Sequence, residues 1–251
     1  REGISPMLRG VLAFVAIGLV AAQPPAPSAV AWQPDGHRVA FGSHGEVRVF
    51  GTGGEATGVL KGQDGRVTAL AYSPNGKLLA VASGIPGKSG TVRLYNTEWF
   101  GEPRPTNPVA TIAAHTDIVH TLAFAPESTT LATAGYDRII HIWDIPAKFA
   151  ADPQTFTKPK FALMDHSDAV YGVAFHPEGK LLASASADRT VKVWDAATGK
   201  RLYTLGEPAD WLYTLRWSPD KTHLAAAGVD KSIRIWKADA AGAKLVHAVF
   251  A

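Results

Sequence analysis

From residue 29 onward the chain is a succession of short runs in which apolar and polar residues alternate, separated by compact polar turns. "VHTLAF" (119–124), "VYGVAF" (170–175) and "LYTLRW" (212–217) are of this kind, and each is followed within a few residues by an alanine-rich run such as "LATAG", "LLASAS" or "LAAAG". A period of two predicts strands with one side buried. Pro34-Asp35-Gly36, Pro74-Asn75-Gly76 and Pro177-Glu178-Gly179 supply hairpin turns between them. One segment breaks the pattern. Residues 10–20 are continuously apolar, follow a single basic residue, Arg9, and lead through Ala21-Ala22 into the proline-rich stretch 23–28.

The runs repeat. "LATAGYDRIIHIWD" (131–144), "LLASASADRTVKVWD" (181–195) and "LAAAGVDKSIRIWK" (224–237) align around their tryptophans. In each, an aspartate stands six residues before the tryptophan: Asp137 and Trp143, Asp188 and Trp194, Asp230 and Trp236. His115 and His166 each lie 22 residues before the aspartate of their own copy. Two degraded copies precede these, "VTALAYSPNGKLLAVAS…TVRLYN" and "AVAWQPDGHRVAFGS…EVRVF", which gives five units, 29–62, 63–114, 115–165, 166–207 and 208–251. Four strands per unit and a repeat of about 42 residues predict the blades of an all-β propeller.

These motifs resemble the WD40-repeat family. The Trp-Asp dipeptide stands at 143–144 and 194–195, and of the family's Gly-His pair only the histidine survives, at His115 and His166. The resemblance implies a hydrogen-bonded set within a blade, complete here as His115, Thr133, Asp137, Trp143 and as His166, Ser184, Asp188, Trp194. A serine, histidine and aspartate together also describe a nucleophilic triad. Recurrence blade after blade favours a structural role, because a nucleophile needs exposure beside an oxyanion hole. The last unit keeps Asp230 and Trp236 but has Pro208 and Ala226 at the histidine and hydroxyl positions; the second has Gln63, Val81 and Tyr95.

The family's rings most often hold seven blades, so five units read as an incomplete set, the N-terminal part of a longer propeller; closure with five blades is the alternative. The family's usual partner-contact positions fall on Arg66 and Thr68, Ile118 and His120, Ala169 and Tyr171, Trp211 and Tyr213, with Tyr136, Ala187 and Val229 before the turn aspartates. Tyrosine, tryptophan and arginine are the residues that anchor interfaces. The same aromatics could instead fill the channel mouth. On the other side, the expanded connections 96–108 and 145–160 carry Trp99, Phe100, Phe149 and Phe156, a second candidate patch.

Composition narrows the function further. The net charge is +3, and no run of Lys or Arg exceeds two residues, which argues against a nucleic-acid surface. There is no cysteine, so disulfides and thiolate chemistry are excluded. No metal-ligand spacing or phosphate loop is present, and no cofactor is expected. The basic residue, apolar run and small residues ending at Ala22 form the pattern of a secretory signal, with Met7 as its start and residues 1–6 upstream of it. Anchoring in a membrane through residues 10–22 is the alternative. The sequence therefore predicts an exported bacterial, periplasmic or extracellular, non-catalytic scaffold that binds protein partners. The rival is a propeller with a small-molecule or catalytic site at its central channel.

Overall fold

A computed structural model of the chain describes residues 26–101, 107–150 and 152–250; the segment read as a signal, and residues 23–25 of the linker after it, lie outside the described residues. The described residues form β-strands, joined by turns and one short 3-10 turn, Thr97–Trp99. Blade 1 comprises β1 (Ala29–Trp32), β2 (Arg38–Gly42), β3 (His44–Gly51) and the first part of β4 (Ala56–Tyr72). The rest of β4, with β5 (Leu78–Ile85), β6 (Ser89–Asn96) and β7 (Ala110–His115), makes blade 2. Blade 3 holds β8 (Val119–Phe124), β9 (Thr130–Gly135), β10 (Ile140–Asp144) and β12 (Phe161–Leu163). β13 (Val170–Phe175), β14 (Leu181–Ser186), β15 (Val191–Asp195) and β16 (Arg201–Leu205) form blade 4. β17 (Leu212–Trp217), β18 (His223–Gly228), β19 (Ser232–Ala238) and β20 (Ala243–Phe250) form blade 5.

Each blade is an antiparallel meander, and its first strand packs along the first strands of its neighbours, β1 on β4, β4 on β8, β8 on β13 and β13 on β17. Among the described residues β17 does not return to pack along β1, so the five blades form an open arc. The hairpin turns close through the same bond in every blade, as in Gly76 N–H to Ser73 C=O at 2.8 Å and Lys221 N–H to Ser218 C=O at 3.0 Å. The donor residue is left-handed: glycine at 36, 76 and 179, but Ser128 (φ 67°) and Lys221 (φ 68°) in blades 3 and 5.

Packing between blades follows a repeated column. The second strand offers alanines (Ala82, Ala134, Ala185), the third a branched residue (Val92, Ile140, Val191) and the fourth a larger one (Ile112, Leu163, Leu205). These residues are at most 5% exposed, because the next blade covers them. In blade 5 the same column reads Ala227, Ile233 and Val249, and here Ile233 is 44% and Val249 54% exposed. At the other end of the arc Val30 and Trp32 stand about 60% exposed, where Leu122 and Phe124 of blade 3 are buried. Both ends of the arc are thus apolar faces of the kind that other blades bury.

Two features depart from simple repetition. β4 runs without a break from the outer edge of blade 1 to the inner edge of blade 2, turning at Gly62 and Gly65, both at positive φ. In addition, the long connection of blade 3 does not remain a loop. Its residues Gln154–Phe156 form β11, which adds to the outer edge of blade 2 in parallel with β7, Phe156 opposite Ile112. That corrects the second candidate patch. Phe100 is buried against blade 1, drawn there by Arg38, which donates to the carbonyls of Thr97 and Phe100 at 3.0 and 3.1 Å. Trp99, Phe149 and Phe156 are half-buried and cover the core shared by blades 2 and 3. Trp99 and Phe149 line one cleft of about 540 Å³ with Lys77 and Lys148.

Candidate functional site

The residues of each hydrogen-bonded set come together inside a blade. In blade 4 His166 Nδ1 lies 2.7 Å from Asp188 Oδ2, His166 Nε2 lies 2.7 Å from Ser184 Oγ, and Trp194 donates its indole N–H to that Oγ at 2.9 Å. Blade 3 repeats this with His115 2.9 Å from both Asp137 and Thr133, and Trp143 donating to Thr133 at 3.0 Å. A single run of protons satisfies each line: indole to hydroxyl, hydroxyl to Nε2, and Nδ1 to carboxylate. The aspartate also accepts from the backbone of the connecting loop, at Thr116 or Ser167. Burial pushes the carboxyls of Asp137 and Asp188 up, but hydrogen bonds from His115 and His166, and for Asp188 from Thr190, outweigh it and hold both below the ordinary carboxylate value. Ser184 and Thr133 are wholly buried, as are the imidazole side chains. No substrate can reach these hydroxyls.

The incomplete blades fill the same space differently. In blade 2 Gln63 donates to the phenol of Tyr95 at 2.7 Å, and Arg93 pairs with Asp64 at 2.9 Å. In blade 5 Arg234 reaches Asp230 at 2.7 Å, in a cluster with Ser232. Trp236 has no acceptor for its indole N–H among the described residues, since Ala226 stands where blades 3 and 4 have a hydroxyl. Blade 1 packs Phe41 edge-on against Phe50, ring centres 5.9 Å apart. The roles of Asp64, Arg93 and Arg234 were not evident in the sequence. Their only signal is charge: Arg93 and Arg234 stand two residues before the tryptophan position, where the other copies carry Arg48, His141 and Lys192.

A row of aromatic rings crosses the inner strands on the face that carries the turn aspartates. His120, Tyr171 and Tyr213 occupy the same position in β8, β13 and β17. His120 and Tyr171 are 4.6 Å apart between ring centres, and Tyr171 and Tyr213 are 5.5 Å apart, edge to face. Tyr136 joins the row 6.0 Å from His120. Tyr136, Trp211 and Tyr213 are about half exposed, while His120 and Tyr171 are more enclosed. Burial pushes the Tyr171 phenol up and the His120 imidazole down. The remaining contact positions divide. Ala169 and Ala187 are buried and present nothing to a partner, Val229 is 39% exposed, and Thr68 donates to the Val119 carbonyl, tying blade 2 to blade 3.

Beside the row lies a cleft of about 790 Å³, lined by Arg66, His44, Ile85, Pro86, Ile118 and His120 among others. Ile85 and Pro86 reach it because the β5–β6 hairpin extends further than its counterparts, each of its strands being eight residues long. Arg66 makes no ion pair or side-chain hydrogen bond among the described residues, and His120 Nε2 is buried without a partner. Nor do the described residues hold a cluster of acids and histidines able to bind a metal.

The WD domain, G-beta repeat family matches residues 54–96, 106–144, 157–195 and 199–237, more than half of the sequence. The chain belongs to the WD40 family. Each match to this WD40 repeat ends on the third strand of a blade, so the repeat in sequence begins with the last strand of the blade before it. Human Striatin-4 is 32% identical over 140 residues, which is 53% of this chain and 18% of Striatin-4. A chain in the crystal structure of the mitotic checkpoint complex superposes with a TM-score of 0.75 at 25% identity, over 88% of this chain and 66% of that one. This WD40 chain therefore spans only part of the relatives it matches. As in WD40 propellers generally, the architecture is that of an interaction scaffold.

Proposed function

We propose that this WD40 chain is a non-catalytic scaffold, exported from a bacterial cytoplasm, that holds a protein partner against the aromatic row. The observation that carries this reading is the continuous contact His120–Tyr171–Tyr213, flanked by the half-exposed rings of Tyr136 and Trp211. Such rings bury a large apolar area while their polar tips stay wet. Export is supported by Arg9, the apolar run 10–20 and Ala21-Ala22. The rival channel site finds less support, because it calls for clustered charged or metal-binding residues where the inner strands present the aromatic row.

The apolar columns at the two ends support a second element of the proposal: further blades cover Val249 and Ile233 at one end and Trp32 at the other. These 251 residues hold no cysteine, so one thiol introduced among them reports cleanly once any cysteine elsewhere in the polypeptide is replaced by serine. In the natural full-length polypeptide Val249→Cys resists a thiol reagent as Leu163→Cys does; rapid labelling overturns this element alone. For the row itself, a photo-crosslinking residue at 136 and at 213 captures one and the same protein in the native host, and the same residue at Glu127 does not. Equal capture at all three positions refutes the aromatic row as the site.

A further inference from the structure

The cleft beside the aromatic row has a composition of its own. Its walls include the apolar Ile85, Pro86 and Ile118, and its polar side chains are Arg66, His44 and His120, with Ser28 and Thr68 donating to backbone carbonyls; no acidic residue lines it. The nearest carboxylates are engaged elsewhere: Asp64 pairs with Arg93, and Asp117 accepts from the backbone of Gly87 and Ile118. Arg66 is exposed, and its guanidinium has no partner among the described residues. A guanidinium is a planar fork suited to a carboxylate, and it gains most where apolar walls exclude water. A cleft of this size is in the range that encloses a small ligand or a few residues of peptide.

The geometry points to the cleft as the site for an extended peptide segment that carries a carboxylate flanked by aliphatic side chains, the carboxylate set on Arg66 and the aliphatics on Ile85, Pro86 and Ile118. This rests on the reading of the chain as a protein-binding scaffold and adds the chemistry of what it binds. The row and the cleft share His120, so one partner can span both, its aromatic-contacting part on Tyr171 and Tyr213 and its acidic part on Arg66.

The probe is a fluorescein-labelled hexapeptide with glutamate between two leucines, compared with its glutamine and lysine counterparts by anisotropy on the unmodified chain. The glutamate peptide binds, the lysine peptide binds at least about tenfold more weakly, and rising salt weakens the glutamate peptide. Arg66→Glu reverses the preference between the glutamate and lysine peptides, and its melting temperature equals the parent's because Arg66 has no partner to lose. Equal binding of the three peptides, no binding of the glutamate peptide, or unchanged preference in Arg66→Glu overturns the inference. The scaffold reading is tested separately: if crosslinks from 136 and 213 still converge on one protein while the cleft shows no preference for the acidic peptide, only the cleft is wrong. If Arg66→Glu reverses the preference but those crosslinks fail, the cleft stands and the aromatic row does not.

Discussion

Trp194 donates its indole N–H to the hydroxyl of Ser184 at 2.9 Å, from one strand of blade 4 to the next, and both groups are buried. The equivalent tryptophan in blade 5, Trp236, faces Ala226 at that position and leaves its N–H without a partner. An unmade buried hydrogen bond is costly, and making one is worth about 1 kcal/mol. Ala226→Ser supplies the acceptor at the cost of a single oxygen atom in volume. It raises the melting temperature by about 2–4 °C, and Ala226→Val does not. Serine as damaging as valine in calorimetry would refute the assignment.

Asp137 and Asp188 close the sets in blades 3 and 4, and replacing either by alanine strands a buried imidazole. Each change costs roughly 1–3 kcal/mol and lowers the melting temperature. The pH dependence has a definite sign. Both carboxyls sit below their ordinary value of 3.8 in the folded chain, so their contribution is complete above that value and is lost as the pH falls through the folded pKa. Asp188→Asn therefore lowers stability at neutral pH and flattens its fall in acid. Denaturant titrations at neutral and acid pH measure both effects, and a parallel loss at every pH would contradict the linkage.

Val249 and Leu163 hold the same place in the inter-blade column, but one is 54% exposed and the other 5%. An aspartate at 249 shifts the stability of this 251-residue chain by no more than about 0.5 kcal/mol. At 163 it puts a charge between two blades and prevents folding or lowers the melting temperature sharply. Urea denaturation of the two variants side by side settles the point; similar losses would mean that the end of the arc is covered.

Tyr171 and Trp211 belong to the same face but not to the same environment. Tyr171 is held between His120 and Tyr213, so Tyr171→Ala removes ring contacts on both sides and costs about 1–2 kcal/mol of stability. Trp211 is 44% exposed, and Trp211→Ala leaves the melting temperature near the parent's while weakening partner capture. A melt in which Trp211→Ala is the more damaging of the two reverses this division.

The repeat made most of the strands readable, because alternation and the Pro-x-Gly turns are local signals. The sets around Trp143 and Trp194 were legible because their spacing resembles the WD40 repeat, and the resemblance implies the set. Substitutes such as Gln63–Tyr95 and Asp230–Arg234 were not, since each occurs once and no period announces it. The connections were the least legible. Nothing near Phe100 in sequence shows that Arg38, some sixty residues earlier, binds its carbonyl. β11 is only three residues long and pairs with a strand of another blade, so neither its length nor its neighbours give it away.

β11 bears on how the arc comes apart. It leaves blade 3, hydrogen-bonds along the rim of blade 2 and returns, so blade 2 cannot shed its outer strand without breaking bonds to a segment rooted in its neighbour. The continuous β4 joins blades 1 and 2 in a similar way. Blades 1 to 3 therefore open together in hydrogen exchange, as one cooperative unit, while blades 4 and 5, joined to the rest by side-chain packing and ordinary turns, exchange first.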